Sequence, residues 1–195
     1  MKAAFKYLPL LLTVTLYTST THAAPTPGHF IIGAEGTFGG DELGATYDNN
    51  GNELDELTAG GLIHLYGGYD FLLSNDPYNS LSLRTSFGWH FDSVSADNGE
   101  VYFDRYPLNF ILHQQFDNID LGAGFTYHLN PTLDQSDVGQ GKIKFDDALG
   151  FRIELGFPLN EQTDITLSVT AIDYKIDNSD GLSGNNIGIG LRLGF

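Results

Sequence analysis

The chain has 195 residues, 24 Gly, no Cys, and 9 Lys+Arg against 25 Asp+Glu, a formal net charge of −16. That balance argues against nucleic acid as a partner, because a phosphate-binding face needs clustered Lys and Arg. The missing cysteines exclude a disulfide framework, thiolate-ligated zinc and a catalytic thiol, and 41% hydrophobic with 13% aromatic residues excludes a disordered chain.

The N-terminus reads as an address. Lys2 and Lys6 form a positive start, Tyr7 to Tyr17 (YLPLLLTVTLY) is apolar, and Thr21-His22-Ala23 ends a polar stretch on a small residue. This is the layout of a secretory signal peptide. The apolar run is too short for a membrane helix, which needs about 20 residues. The predicted signal spans residues 1–23, since a cut after Ala24 would leave Pro25 first. The predicted domain then spans residues 24–195.

Period-two alternation predicts strands along the rest of the chain. In order they are Phe30–Phe38, Thr58–Phe71, residues 81–92, Tyr102–Phe116, Ile119–Leu129, Phe145–Leu159, a less regular Ile165–Ile176, and Ile187–Phe195. The third is the clearest: Leu81, Leu83, Thr85, Phe87, Trp89 and Phe91 alternate with Ser82, Arg84, Ser86, Gly88, His90 and Asp92. Connections alternate between long and short, beginning with a long gap at 39–57. Such a pattern describes an eight-stranded antiparallel up-and-down β-barrel.

Alternation alone does not say which face points outward, because a ligand-carrying soluble barrel and a membrane barrel differ only in that choice. All four Arg (Arg84, Arg105, Arg152, Arg192) lie on the polar face with Glu35, Asp120 and Glu154, whereas Lys142 and Lys144 fall in a loop and Lys175 at a strand end. A solvated sheet face would carry many Lys. The polar face is also rich in Gly, which suits a narrow interior. Aromatics on the apolar face gather near strand ends: Phe30, Phe71, Phe116, Phe157 and Phe195 at one end, and Phe38, Trp89, Phe91, Tyr102, Tyr106 and Tyr127 at the other. Two aromatic girdles around an aliphatic band are what a bilayer selects. The barrel is therefore expected to be transmembrane, with its polar face inside.

The closing run GIGLRLGF, with Gly190, Leu193 and the terminal Phe195 on the alternating pattern, resembles the C-terminal assembly signal of bacterial outer-membrane proteins. The segments LGAGFTYHLNP (121–131) and FDDALGFRIELGFPLN (145–160) resemble the small OmpA-like outer membrane protein beta-barrel domains. The resemblance covers essentially the whole chain after the signal. It implies residence in the outer membrane, contact with its lipid and lipopolysaccharide, and recognition by periplasmic chaperones and the barrel-assembly machinery. OmpA itself adds a peptidoglycan-binding domain, and that property is not carried over to this chain.

An eight-stranded lumen is just wide enough for side chains to fill. Glu35, Arg84, Arg105, Asp120, Arg152, Glu154 and Arg192 are therefore expected to form a polar network, since buried charges need partners. Closing the barrel brings the first strand beside the last, which makes Glu35 with Arg192 the expected cross-seam pair. His64, His90, His113 and His128 come from four strands with no i, i+2 pair, so they are expected at different depths and no metal is assigned. The stretch 48–56 (DNNGNELDE) weakly resembles a calcium loop, but Glu53 stands where Gly is needed and Ala59 where the closing Glu belongs, so a solvated acidic loop is expected. Ser86 and His90 share a face without an acid in reach, and the region around 173–181 (DYKIDNSDG) lacks the His of lipid A deacylases. No catalytic residue or cofactor is assigned. The expected role is structural or through surface loops, in envelope integrity or adhesion. A narrow porin-like channel is the alternative, and a lipid A-modifying enzyme a more distant one.

Overall fold

The computed structural model describes residues 28–47, 53–76, 79–96, 99–116, 118–176 and 181–195. The signal expected at 1–23 lies outside the described residues, as do Asp48 to Asn52 of the acidic stretch.

Thirteen strands follow one another: β1 (Gly28–Gly39), β2 (Glu42–Tyr47), β3 (Glu53–Thr58), β4 (Leu62–Asp76), β5 (Asn79–Ala96), β6 (Gly99–Phe116), β7 (Ile119–Gln135), β8 (Gly141–Lys144), β9 (Ala148–Asn160), β10 (Thr163–Ala171), β11 (Asp173–Tyr174), β12 (Leu182–Ser183) and β13 (Asn186–Gly194). Eight of them form the wall, each antiparallel to its neighbours, in the order β1, β4, β5, β6, β7, β9, β10, β13. The wall closes where β1 pairs with β13, Gly33 opposite Arg192 and Glu35 opposite Gly190. Closure leaves the wall no free edge along its shared height, the requirement for a sheet that crosses lipid. Short turns and both ends of the wall lie at one rim, the turn end. The longer connections lie at the other, the loop end.

Facing follows the alternation. Phe30, Ile32, Phe38, Leu167, Ile187 and Ile189 point outward and are exposed, whereas Arg84, Arg105, Arg152 and Arg192 are buried inside. The outward girdle tips find polar partners: Trp89 Nε1 donates to Asp104 (2.8 Å) and the Tyr127 hydroxyl to Asp147 (3.3 Å). The band between the girdles is not purely aliphatic, however. Phe110, Phe125 and Phe151 form one cross-strand row, with Phe125 and Phe151 4.7 Å apart between ring centroids. Inward glycines do make room for large neighbours. A Cβ on Gly122 would collide with the His113 ring, one on Gly33 with Tyr66, and one on Gly188 with the Glu35 carboxylate.

The loop end departs from the sequence expectation in three places. The gap at 39–57 contains the β2–β3 hairpin rather than an open acidic loop, and Thr58 belongs to β3, so the next wall strand begins only at Leu62. Residues 145–147 are irregular, and Phe145 turns in to meet the Phe103 ring at 5.7 Å. The wall strand expected to reach Ile176 ends at Ala171, after which β11 leaves to pair with β12. There is also a bulge in β7, where Asp104 faces Thr132 but Tyr106 faces Leu129. Asn130 takes the left-handed conformation there (φ 48°), which Asn tolerates better than most residues. The extra residue brings Leu133 inward beside Phe103.

These departures together build an apolar core at the loop end. Leu57, Ala59, Val94, Phe103, Leu133, Ala148, Ile172 and Tyr174 form one buried cluster, with Leu43, Val101, Phe145 and Leu182 packed against it. The wall strands extend past their neighbours here, and β2, β3, β11 and β12 fold over the opening as a cap.

Candidate functional site in the barrel lumen

At the turn end, Arg192 meets Asp164 through Nε (3.0 Å) and Nη2 (2.5 Å) and Asp120 through Nη2 (2.8 Å). Arg84 holds Asp70 through Nε (3.0 Å) and Nη2 (2.6 Å), and reaches Asp120 (3.3 Å) and Glu154 (3.4 Å). The His113 ring lies between Asp120 (3.0 Å from Nδ1) and Glu154 (3.3 Å from Nε2). One level up, Arg152 joins Glu154 (2.7 Å) to Glu35 (2.7 Å) and donates to the Thr170 hydroxyl (3.2 Å). Glu35 also accepts from the Ser168 hydroxyl and from His64 Nδ1 (3.2 Å). Charge-assisted hydrogen bonds of this kind are what allow carboxylates and guanidiniums to share a nearly dry interior.

Six of the seven network residues read from the sequence, Glu35, Arg84, Asp120, Arg152, Glu154 and Arg192, belong to this continuous set. The expected pair of Glu35 with Arg192 does not form. Arg192 stands directly opposite Asp164 across the β10–β13 ladder, and this immediate neighbour takes the guanidinium. Glu35 sits two residues nearer the loop end, opposite Gly190, and leans over Gly188 toward Arg152. Asp70 and Asp164 were missed as partners. Asp70 could have been found from the β4–β5 hairpin, whose register sets it opposite Arg84.

Arg105 is the seventh residue and stands apart. It is fully buried (0% exposed). Its Nη2 donates to the Gly61 carbonyl (2.7 Å) and to His90 Nε2 (2.9 Å), and its guanidinium carbon lies 4.8 Å from the Phe103 ring centre. Three of the histidines expected at different depths form a row beside it: the rings of His64 and His90 are 5.3 Å apart, and those of His90 and His128 6.3 Å. His64 stands directly opposite His90 in the ladder and ties the row to Glu35, whereas His113 lies among the lower carboxylates, away from the row. Among the described residues no group of three His, Cys, Asp or Glu is placed to hold a metal ion.

The cap is tied to this row. The Tyr174 hydroxyl donates to His128 Nδ1 (2.7 Å), and burial pushes its pKa up to about 12, so it keeps its proton. Ser86 and His90 make no nucleophile–base pair, since the Ser86 hydroxyl accepts from Asn109 (3.1 Å) and His90 faces Arg105. At the turn end the lumen opens into a polar cavity of about 420 Å³, bordered by Asp70, Ser82, Arg84, Asp120, Asp164 and Arg192.

A closed eight-stranded barrel with an apolar outer face, aromatic girdles and a polar, filled interior defines an integral membrane barrel. The profile of the outer membrane protein beta-barrel domain family matches residues 10–195, and the chain belongs to that family. Its seat is accordingly the bacterial outer membrane, with the turn end periplasmic and the loop end extracellular. Among solved structures it is similar to Ail, the attachment invasion locus protein of Yersinia pestis, in complex with the heparin analogue sucrose octasulfate (14% identity, TM-score 0.52, covering 86% of this chain and 97% of Ail). It is also similar to the outer membrane protein OprG from Pseudomonas aeruginosa (15% identity, TM-score 0.42, covering 87% and 96%). No curated protein matches the chain. The C-terminal residues read as the assembly signal complete the wall: Gly190 faces Glu35, Leu193 pairs with Ile32, and the exposed Phe195 donates its N–H to the Phe30 carbonyl (2.9 Å).

Proposed function

We propose that this protein is a closed outer-membrane scaffold that acts through its presence in the envelope or through its extracellular loops, and not as a channel or an enzyme. The observation that carries this reading is the double closure of the lumen, by the charge network toward the periplasm and by the apolar core around Phe103 and Tyr174 outside. Purified barrel in planar bilayers should show no discrete conductance steps. Reproducible ohmic channels from wild-type protein would overturn the reading in favour of a narrow solute channel.

Residues 1–23 act as a cleaved export signal in this account. Periplasmic chaperones and the barrel-assembly machinery bring the chain to the membrane, where its partners are lipid and lipopolysaccharide. Deleting Phe195 should sharply lower the yield of heat-modifiable, folded barrel in the outer membrane. The exposed loop acids Asp41, Glu42, Asp137, Asp146, Asp147 and Asp173 outnumber Lys142, Lys144 and Lys175, so the loops favour a neutral or cationic surface ligand over a polyanion of the kind bound to Ail.

A further inference from the structure

The interior arginines are not equivalent. Arg84, Arg152 and Arg192 each touch at least two carboxylates. Arg105, the most deeply buried of them, has no carboxylate partner among the described residues, and its Nε and Nη1 make no hydrogen bond. What holds its charge is a carbonyl, an aromatic face, the nearby Tyr174 oxygen and the lone pair of His90. An arginine N–H can only donate, so His90 Nε2 must be the acceptor and the ring must be neutral. Thr37 Oγ1, 2.8 Å from the same nitrogen, then donates to it as well.

We propose that His90 and Arg105 form a proton-operated latch that releases the extracellular cap when the medium becomes acidic. A proton added at His90 Nε2 replaces the accepting lone pair with an N–H directed at a guanidinium N–H 2.9 Å away. Two positive charges then face each other in a nearly dry interior, where such repulsion is weakly screened. The groups around His90 do not offset it. From β4 comes the His64 ring, whose Nδ1 is bonded to Glu35, and from β7 that of His128, itself bonded to Tyr174 of β11. Glu35 of β1 is held by Arg152, and Arg152 and Glu154 of β9 hold each other. On β5 itself, Asp92 is occupied by the Thr58 N–H (2.9 Å) and hydroxyl (3.2 Å). Arg105 therefore yields. Its movement breaks the bond to Gly61, the residue joining the β2–β3 hairpin to β4, and withdraws the cation from Phe103 beneath the cap. Burial and the facing guanidinium disfavour a proton on His90 while the cap is closed. An imidazole released to water takes one over about pH 5 to 8, so acid shifts the balance toward the open cap.

Release of the cap does not require that the lumen conduct, since the lower charge network stays closed. The test is amide hydrogen exchange of the full-length barrel in lipid nanodiscs at about pH 7.5 and about pH 5, corrected for intrinsic rates. Protection of residues 54–61 and 172–176 should fall by about tenfold or more at the lower pH, while the amides of β9 and β10 hold theirs. In His90→Gln, whose amide oxygen accepts from Arg105 but does not titrate, the fall should vanish. In His128→Gln it should persist, because a protonated His128 can still bond the Tyr174 oxygen. Arg105→Gln, which removes the second charge, should also abolish it and serves if His90→Gln does not fold. Equal cap protection at the two pH values in wild type, or an undiminished fall in His90→Gln or in Arg105→Gln, would overturn the latch.

Discussion

In the lower and middle lumen Arg84, Arg152 and Arg192 are distributed among five carboxylates, Glu35, Asp70, Asp120, Glu154 and Asp164. In the extracellular half one guanidinium lies against rings and a carbonyl, under a cluster of aliphatic and aromatic side chains. The same tube is filled with opposite chemistry, and the difference follows from what surrounds each half. Where the wall crosses lipid its apolar residues are committed outward, so the inward alternate positions hold the polar ones, and these must satisfy one another. Beyond the lipid the strand extensions need no apolar outer face, and the loops can cover the opening. Apolar residues are then free to turn inward, and an ordinary hydrophobic core becomes available.

If that division is real, breaking the lower half should cost the whole barrel and breaking the upper half only the cap. The lower network holds more carboxylates than guanidiniums, so losing a guanidinium is worse than losing an acid. Arg152→Met removes the nearest cation from both Glu35 and Glu154, leaving Glu35 to Ser168 and His64 and Glu154 to the longer contacts with Arg84 and His113. It should lower global unfolding stability by about 3–5 kcal/mol, measured by denaturant titration in lipid vesicles. Glu35→Gln should cost less, because Arg152 keeps Glu154. Phe103→Ala removes a comparable amount by the cavity it leaves, about 3–5 kcal/mol. That loss should appear in local opening of the cap, read by hydrogen exchange, more than in the global transition. Equal global losses for Arg152→Met and Phe103→Ala would mean that the two halves unfold as one.

The two halves also differ in how much of them could be read beforehand. In the lower half, period two alone separates lipid from lumen, which is why Arg84, Arg152, Arg192, Glu35, Asp120 and Glu154 were all legible as interior. Their pairing was not, because it depends on strand tilt and on which neighbour stands directly opposite. Asp164 lies across from Arg192 on the preceding wall strand, joined to it by the long 172–185 connection and not by a tight turn that would set the register. In the upper half the alternation of Asp92 with Val94, or Arg105 with Phe103, continues unbroken, but the inward residue changes from polar to apolar. A periodicity argument does not register that change. The β7 bulge at Asn130 then reverses the facing of Leu133, which no count of alternate residues anticipates. The isolation of Arg105 stayed hidden for the same reason: at its alternate position on β6 it reads like the arginines of β5, β9 and β13.

The wall itself supplies the next test. Leu167 is outward at the middle of β10, opposite Leu155 and Ile189. Leu167→Arg should cost about 2–4 kcal/mol in vesicles if that row lies near the bilayer midplane. Ser82→Arg should cost much less, because Ser82 borders the periplasmic cavity, where a long side chain can reach water. The reverse ranking in denaturant titration would place the apolar face inside and undo the assignment of both halves.

The smallest effect probes the seam between the two regions. Tyr174 belongs to the cap, but its hydroxyl is bonded to His128 of the wall at 2.7 Å, in a site where neither group meets water. Tyr174→Phe keeps the ring among Phe103, Phe145 and Ile172 and removes the hydroxyl that donates to His128 Nδ1 and faces Arg105. The packing contribution should survive, and the loss should be that of leaving one buried acceptor unsatisfied, about 1–3 kcal/mol. Since the tie joins cap to wall and not wall strands to one another, the change should appear as faster exchange at β11 and β12, with the global unfolding midpoint nearly unmoved. A fall in that midpoint as large as the one caused by Arg152→Met would show that the cap stabilises the wall beneath it, and the two halves would then have to be treated as a single cooperative unit.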